Sequence, residues 1–264
     1  MSIQERQQTI VELLEQRGAC SYQELIEHLG VSAMTARRDV DRLVGQGRAI
    51  KTLGGVQRAD APAYWYENEL STRMARQVAQ KRAIAERAVG LLEAGTTLYL
   101  DGGTTCLELA RQLARKRSDL IVVTNSAAAC MELCRSGGNS VIGLGGECDP
   151  SSLCFVGPDC EEAAGRYFVD VAFVSTKGFV PDEGTFESSP ATFRIKQVMA
   201  KRSSQVVLLA DHTKFGQRAL SKVLDISEIS DVVTDALTPE EDLETLCEMG
   251  KDVHVVDVEH AEVS

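Results

Sequence analysis

Between residues 96 and 256 short apolar runs alternate with stretches of helical spacing, and few folds accept that alternation. Strands are expected at 96–100, 119–124, 140–144, 169–175, 205–209, 231–234 and 252–256. Helices are expected at 104–115, 126–136, 159–166, 190–202 and 239–248, after an amphipathic stretch at 81–92 that ends at Gly95. Runs such as Leu120-Ile121-Val122-Val123 and Val206-Val207-Leu208-Leu209 show no polar alternation, so both faces of each strand need cover. The pattern implies an α/β fold with a largely parallel, helix-covered sheet, whose ligands sit beyond the carboxyl ends of the strands.

The strand ends are therefore the candidate site. The most informative is Asp101-Gly102-Gly103-Thr104-Thr105, which joins Thr97-Leu98-Tyr99-Leu100 to the helical Cys106–Leu113 stretch. A glycine pair opening a helix leaves backbone N–H groups at the positive end of the helix dipole, ready for an anion. The plainer reading is a tight turn with Thr104 as N-cap. The other ends are Thr124-Asn125-Ser126, Gly145-Gly146-Glu147, Ser175-Thr176-Lys177-Gly178 and Ala210-Asp211-His212-Thr213-Lys214-Phe215-Gly216. Each alone is ordinary turn chemistry. Together they gather hydroxyls, amides and two lysines where a phosphosugar can be held. Lys177 and Lys214 suit a phosphate. Asp101 repels one, so it suits sugar hydroxyls or an ordering hydrogen bond, and Asn125 serves either end.

Residues 1–58 read differently. Ile3, Ile10, Val11, Leu13 and Leu14 recur at helical spacing up to Gly18. Ser21 and Glu24 form a capping box for a second helix, and Gly30-Val31-Ser32 is a tight connection to a third. That helix, Ala33 to about Gln46, buries Ala36, Val40, Leu43 and Val44 and projects Thr35, Arg37, Arg38 and Arg42. Strands on either side of Gly54-Gly55 make a small hairpin. Helix, turn, basic helix and hairpin together are a winged helix-turn-helix. Ser32, Thr35, Arg37, Arg38 and Arg42 reach base edges and phosphates of double-stranded operator DNA, and Arg48, Lys51 and Arg58 of the wing add phosphate contacts.

Charge agrees with that division. The chain of 264 residues has a net charge of −11. Residues 1–58 hold eight basic and seven acidic side chains, net +1, against 20 and 32, net −12, in the rest. An acidic body with a locally basic module confines DNA contact to one face. No apolar run approaches the ~20 residues of a membrane span, and Gln4–Gln8 is polar, so neither a membrane anchor nor a signal peptide is expected. The eight cysteines lack a CxxC pair, and no histidine is near Cys130 and Cys134. Reduced thiols, a cytoplasmic location and no cofactor or metal are expected. Residues 59–76, with Pro62 and Tyr64-Trp65-Tyr66, have no clear period and read as a linker before the body at 77–264.

The run Val31-Ser32-Ala33-Met34-Thr35-Ala36-Arg37-Arg38-Asp39-Val40, then Leu43 and Gly47, resembles the signature of DeoR-type bacterial transcriptional regulators. That family usually reads V-S-x-x-T-I-R-R-D-L before an R-x-H-G-G-A wing. Here Ala36 replaces the isoleucine, and Lys51-Thr52-Leu53-Gly54-Gly55-Val56 occupies the wing. The later order D-x-G-T-T, T-N, G-G and D-H-S/T-K-F-G is similar to the family's effector domain, so the likeness spans roughly residues 5–256. It implies a fold shared with ribose-5-phosphate isomerase and CoA transferases. It also implies a phosphorylated sugar or related metabolite as effector, and repression as the usual outcome. The positions implied are Asp101, Gly103, Thr104, Thr105, Asn125, Gly146 and Lys214. Members often carry an acid four residues ahead of a lysine. Counted back from Lys196 that place is Thr192, while Glu187 lies upstream.

Two readings compete. One is a sugar-phosphate isomerase or transferase with a DNA-binding head, using Asp101, Glu187, Lys177 and Lys214 as base and electrophile. Nothing in the sequence marks a perturbed acid–base pair, so no catalytic residue is assigned. The other is a body that only oligomerises. The reading retained is a regulator whose dimers or tetramers present paired winged helices to spaced half-sites.

Overall fold

The computed structural model describes residues 2–17, 19–52, 55–58 and 70–258. The chain divides into two compact units, Met1–Asn68 and Glu69–Ser264.

The first unit runs α1 (Ile3–Arg17), β1 (Ala19–Ser21), α2 (Tyr22–Leu29), α3 (Ala33–Gly45), β2 (Ala49–Thr52) and β3 (Gly55–Arg58). The Ser21–Glu24 capping box is formed: Glu24 N–H donates to Ser21 Oγ at 3.2 Å, and Ser21 N–H donates to Glu24 Oε2 at 2.8 Å. Gly30 ends α2 at φ +63°, left-handed backbone that favours glycine. Ser32 caps α3 by accepting from Thr35 N–H. Ile10, Leu14, Leu25, Val40, Leu43 and Val56 fill the core. Val44, expected inside, is only partly buried. Replacing Ser21 with alanine is expected to cost about 1 kcal/mol, read from urea unfolding followed by circular dichroism. An unchanged midpoint would mean the cap adds nothing.

The expected hairpin of β2 and β3 gains a third strand, in the order β1-β3-β2. With three residues, β1 is too short to show a period of two. Gly55 explains the contact: a Cβ there would lie 2.0 Å from the Cys20 carbonyl oxygen. Leu53, Gly54 and Tyr64-Trp65-Tyr66 lie outside the described residues.

The second unit opens with α4 (Leu70–Ala75) and α5 (Val78–Val89). It continues β4 (Thr97–Leu100), α6 (Thr104–Lys116), β5 (Ile121–Thr124), α7 (Ala127–Ser136), β6 (Ser140–Gly143), β7 (Glu147–Asp149), β8 (Cys154–Val156), α8 (Pro158–Ala164) and β9 (Val169–Ser175). Then come β10 (Gly178–Val180), β11 (Gly184–Glu187), α9 (Pro190–Lys201), β12 (Ser203–Leu209), β13 (Ser221–Asp225), β14 (Asp231–Asp235), α10 (Glu240–Glu248) and β15 (Asp252–Val256).

All seven expected strands form one sheet, in the order β15-β14-β12-β9-β4-β5-β6, with every neighbouring pair parallel. Alternate residues feed opposite layers. Leu98, Leu100, Val122, Val207 and Val233 pack with α5 and α6 residues such as Ile84 and Leu109. Tyr99 and Val123 face Ile195 and Met199 of α9. Val206, Leu208 and Val232 face Leu224 and Leu246. Each such side chain, fully buried, contributes about 1.5–3 kcal/mol.

Three elements have no counterpart in the sequence reading. Helix α4 falls in the stretch read as linker, and its six residues are too few to show a period. The β7–β8 hairpin and the antiparallel sheet β10-β11-β13 consist mostly of three- or four-residue strands.

Candidate functional site

The strand order reverses between β4 and β9: β5 and β6 follow β4 to one side, while β12, β14 and β15 extend beyond β9 on the other. Strand ends at such a switch point are the usual place for a ligand in sheets of this kind. Asp101 ends β4 and Ser175 ends β9.

Asp101 is buried and accepts from Ser175 N–H at 3.1 Å and Ser175 Oγ–H at 2.7 Å. Lys196 Nζ of α9 lies 3.4 Å from the same carboxylate oxygen, donates to Glu187 Oε1 at 2.6 Å, and also donates to the Ser175 carbonyl. All three charged groups are buried. Burial alone lowers a lysine's pKa, but Asp101 and Glu187 outweigh it and hold Lys196 above its ordinary value. Two carboxylates around one ammonium leave a floor with one surplus negative charge. Asp101 thus makes the ordering hydrogen bond, and Glu187 supplies the second acid beside Lys196. The side chain of Thr192 lies outside the described residues.

The glycines answer to packing. A Cβ on Gly102 would lie 2.1 Å from Cys154 Sγ, and one on Gly103 would lie 1.7 Å from Ser175 Oγ. Both positions therefore exclude a side chain before any ligand arrives. The N-cap of α6 is Gly103, not Thr104, and no side chain caps that end. Its first N–H groups keep the anion-attracting character expected of an uncapped helix start. Thr104 is half-buried and Thr105 buried.

Asn125 is committed to structure. Its Oδ1 accepts from the Tyr99 hydroxyl at 2.9 Å, and its Nδ2 donates to the Phe155 carbonyl at 3.1 Å. Gly146, at φ +138°, packs against Val156 and Cys160 rather than the Asp101 loop. Lys177 is half-buried just past β9.

The 211–216 motif is a built loop. Asp211 caps a short 3-10 turn, His212–Lys214, by accepting from Thr213 N–H at 3.1 Å. His212 is clamped to Asp235 at the end of β14, through its backbone N–H at 2.9 Å and Nδ1 at 2.8 Å. Phe215 stacks edge-on with Phe179, centroids 5.3 Å apart, and Gly216 takes φ +66°. These bonds leave Lys214 half-buried on a fixed turn. Across from it, Lys81 of α5 donates to the carbonyls of Arg73 and Arg76. Burial pushes its pKa down to about 8, with Asp211 opposing and Lys214 adding to the shift. Glu187 was raised in the sequence as a possible base and as the acid upstream of Thr192, whereas Lys196 and Lys81 were not among the site candidates. The legible signal was a lysine inside the apolar spacing of each helix.

In the first unit α3 presents Met34, Arg37, Arg38 and Asp41 on one exposed face. Ser32 Oγ and Thr35 Oγ1 lie 2.9 Å apart, so the cap occupies both hydroxyls. Arg37 stacks over Tyr22 at 5.4 Å. Arg42 pairs with buried Asp39 at 3.6 Å, and Arg6 pairs with the same carboxylate at 2.7 Å. Arg48 is exposed, while the side chains of Lys51 and Arg58, on β2 and β3, lie outside the described residues. Met34 is 71% exposed on this face.

Two family models match the chain: a DeoR-like helix-turn-helix domain over residues 6–61, and a DeoR C-terminal sensor domain over residues 76–236. The chain belongs to the DeoR family. It is a DNA-binding transcriptional regulator, as are its relatives. The transcriptional repressor AccR of Agrobacterium fabrum is 34% identical over 238 residues, 90% of this chain and 91% of that one. The glycerol-3-phosphate regulon repressor of Escherichia coli K12 is 30% identical over 235 residues, 89% and 92%. Among solved structures, ribose 5-phosphate isomerase A of Neisseria gonorrhoeae overlays with a TM-score of 0.40 at 17% identity, covering 52% of this DeoR-family chain and 53% of the isomerase. Among the described residues no helix is long and apolar enough to cross a membrane, and no group of three or more His, Cys, Asp or Glu suits a metal ion.

Proposed function

We propose that this regulator represses transcription in the cytoplasm by binding operator DNA through α3 and the wing, and that a phosphorylated sugar at the strand ends of the second unit alters its grip. The observation that carries the reading is the charge layout at the carboxyl ends of β4 and β9. An acidic floor of Asp101, Glu187 and Lys196 suits sugar hydroxyls, while the uncapped start of α6 and Lys214 suit the phosphate. Copies of the chain pair so that two α3 helices meet spaced half-sites. The effector acts by binding one arrangement of the heads better than the other.

Chemistry supports a sensor over an isomerase. Lys196 is held as a permanent cation and cannot accept a proton near neutral pH. Burial, with Asp101 behind it, keeps the Tyr99 phenol and the Cys106 thiol protonated. The ammonium, phenol and thiol around Asp101 thus offer no base, and the Asp101 carboxylate is itself taken up by Ser175 and Lys196.

Screening the full chain against pentose, hexose and glycerol phosphates by thermal shift tests this. A ligand at 100 times its Kd adds ~2.7 kcal/mol of stability. A flat response across the panel counts against the pocket, and turnover of any compound, lost in Asp101→Asn, counts against a pure regulator. Lys214→Ala is expected to retain operator binding and lose the ligand's effect on it. Effector-driven release by that variant would contradict the assignment.

A further inference from the structure

Helix α4 is the first described element of the second unit after residues 59–69, the stretch that joins it to the DNA-reading unit. Six residues cannot hold a helix on their own. Tertiary bonds do so at both ends: Leu70 N–H donates to the Ser151 carbonyl at 3.0 Å, and Lys81 Nζ donates to the Arg73 and Arg76 carbonyls at 2.5 and 2.6 Å. Lys81 is 6% exposed, so these carbonyls take the place of its water.

A rival acceptor, Asp211, attracts the Lys81 ammonium electrostatically without bonding to it. Asp211 is 1% exposed; its Oδ1 caps the 212–214 turn, but its Oδ2 is buried and has no hydrogen-bond partner among the described residues. A buried carboxylate oxygen left without a donor is unfavourable, and a nearby ammonium satisfies it best. Lys81 has three N–H groups and spends two on α4. Turning fully to Asp211 would satisfy Oδ2 and release both α4 carbonyls. Lys214, on the same turn as Asp211, opposes that move because its positive charge acts on Lys81.

We propose that Lys81 is a two-position switch, bonded either to the carbonyls of α4 or to Asp211, and that the charge at Lys214 sets its position. With Lys214 bare, Lys81 pins the end of α4. An anion that neutralises Lys214 removes the repulsion, Lys81 turns to Asp211, and α4 is freed. The proposal rests on the effector reading for the nature of the anion, but the switch is testable without any ligand.

The experiment is hydrogen–deuterium exchange on the full chain, followed at residues 70–76. Lys81→Gln is expected to speed exchange there by about fivefold or more, the lower end of ordinary coupling between sites. Asp211→Asn removes the rival's charge and is expected to slow the same amides. Lys214→Gln is expected to speed them, with no further effect in a Lys81→Gln background. Opposite signs for Lys81→Gln and Asp211→Asn separate a switch from two residues that merely hold the fold. If Asp211→Asn speeds exchange as Lys81→Gln does, or Lys214→Gln matches the wild type, the proposal is overturned. Ribose 5-phosphate and glycerol 3-phosphate are then added to the wild type. If neither speeds exchange while the three variants behave as stated, these compounds are not effectors and the switch stands.

Discussion

Lys196→Met is expected to destabilise the second unit by about 3–5 kcal/mol, the usual cost of removing one partner from a buried charge cluster. The substitution keeps length and apolar stem but leaves Asp101 and Glu187 buried without a counter-charge. It also removes the donor to the Ser175 carbonyl, next to the contacts that position Asp101. Glu187→Gln alone keeps a neutral acceptor and leaves a one-to-one pair of Asp101 and Lys196, so it costs less. The double variant should fall short of the sum of the singles, because both act on one network. Urea unfolding monitored by circular dichroism measures all three. A Lys196→Met loss under about 1 kcal/mol would mean that the site's floor is not held by charge.

The second large effect is on DNA. Arg37→Ala is expected to weaken operator binding by about 1–3 kcal/mol, roughly 5- to 150-fold, and to relax preference at one base pair. Arg37 lies on the exposed face of α3 and is steadied by the Tyr22 ring, so little freedom remains to be lost on binding. Arg42→Ala should weaken binding less, since Asp39 already engages that guanidinium. Fluorescence anisotropy with operator and scrambled duplexes at fixed salt separates these outcomes, with thermal shifts monitoring the second unit. An Arg37→Ala protein that binds both duplexes like the wild type would remove α3 as the reading element. Concurrent loss of effector response would show that the two units do not act separately.

The large parallel sheet was legible because its strands are buried on both faces, which leaves continuous apolar runs such as Val206–Leu209. The winged head was legible through its turn and caps, since Ser21, Gly30 and Ser32 act within a few residues of themselves. Strand order was not legible. Nothing local to Asp101 says that β9, rather than a strand nearer in sequence, will be its neighbour on the far side from β5. The roles of the glycines were hidden for the same reason, because Cys154 and Ser175 reach Gly102 and Gly103 only after the chain folds back. Lys196 and Glu187 belong together through the fold of β11 against α9. A sequence shows each as a lone charge in an apolar setting.

The bond between Asp101 and Ser175 joins residues 74 positions apart, and Lys196 lies farther along the chain. The head's contacts, by contrast, close within its first 58 residues. Contacts of long sequence separation form slowly, and domains fold as they emerge during synthesis. At ~5–20 residues per second, α9 trails α3 from the ribosome by roughly 10–30 s. A nascent regulator thus completes its winged head well before the contacts around Asp101. Any chain interrupted ahead of β9 carries the head without the buried cluster of Asp101, Ser175 and Lys196.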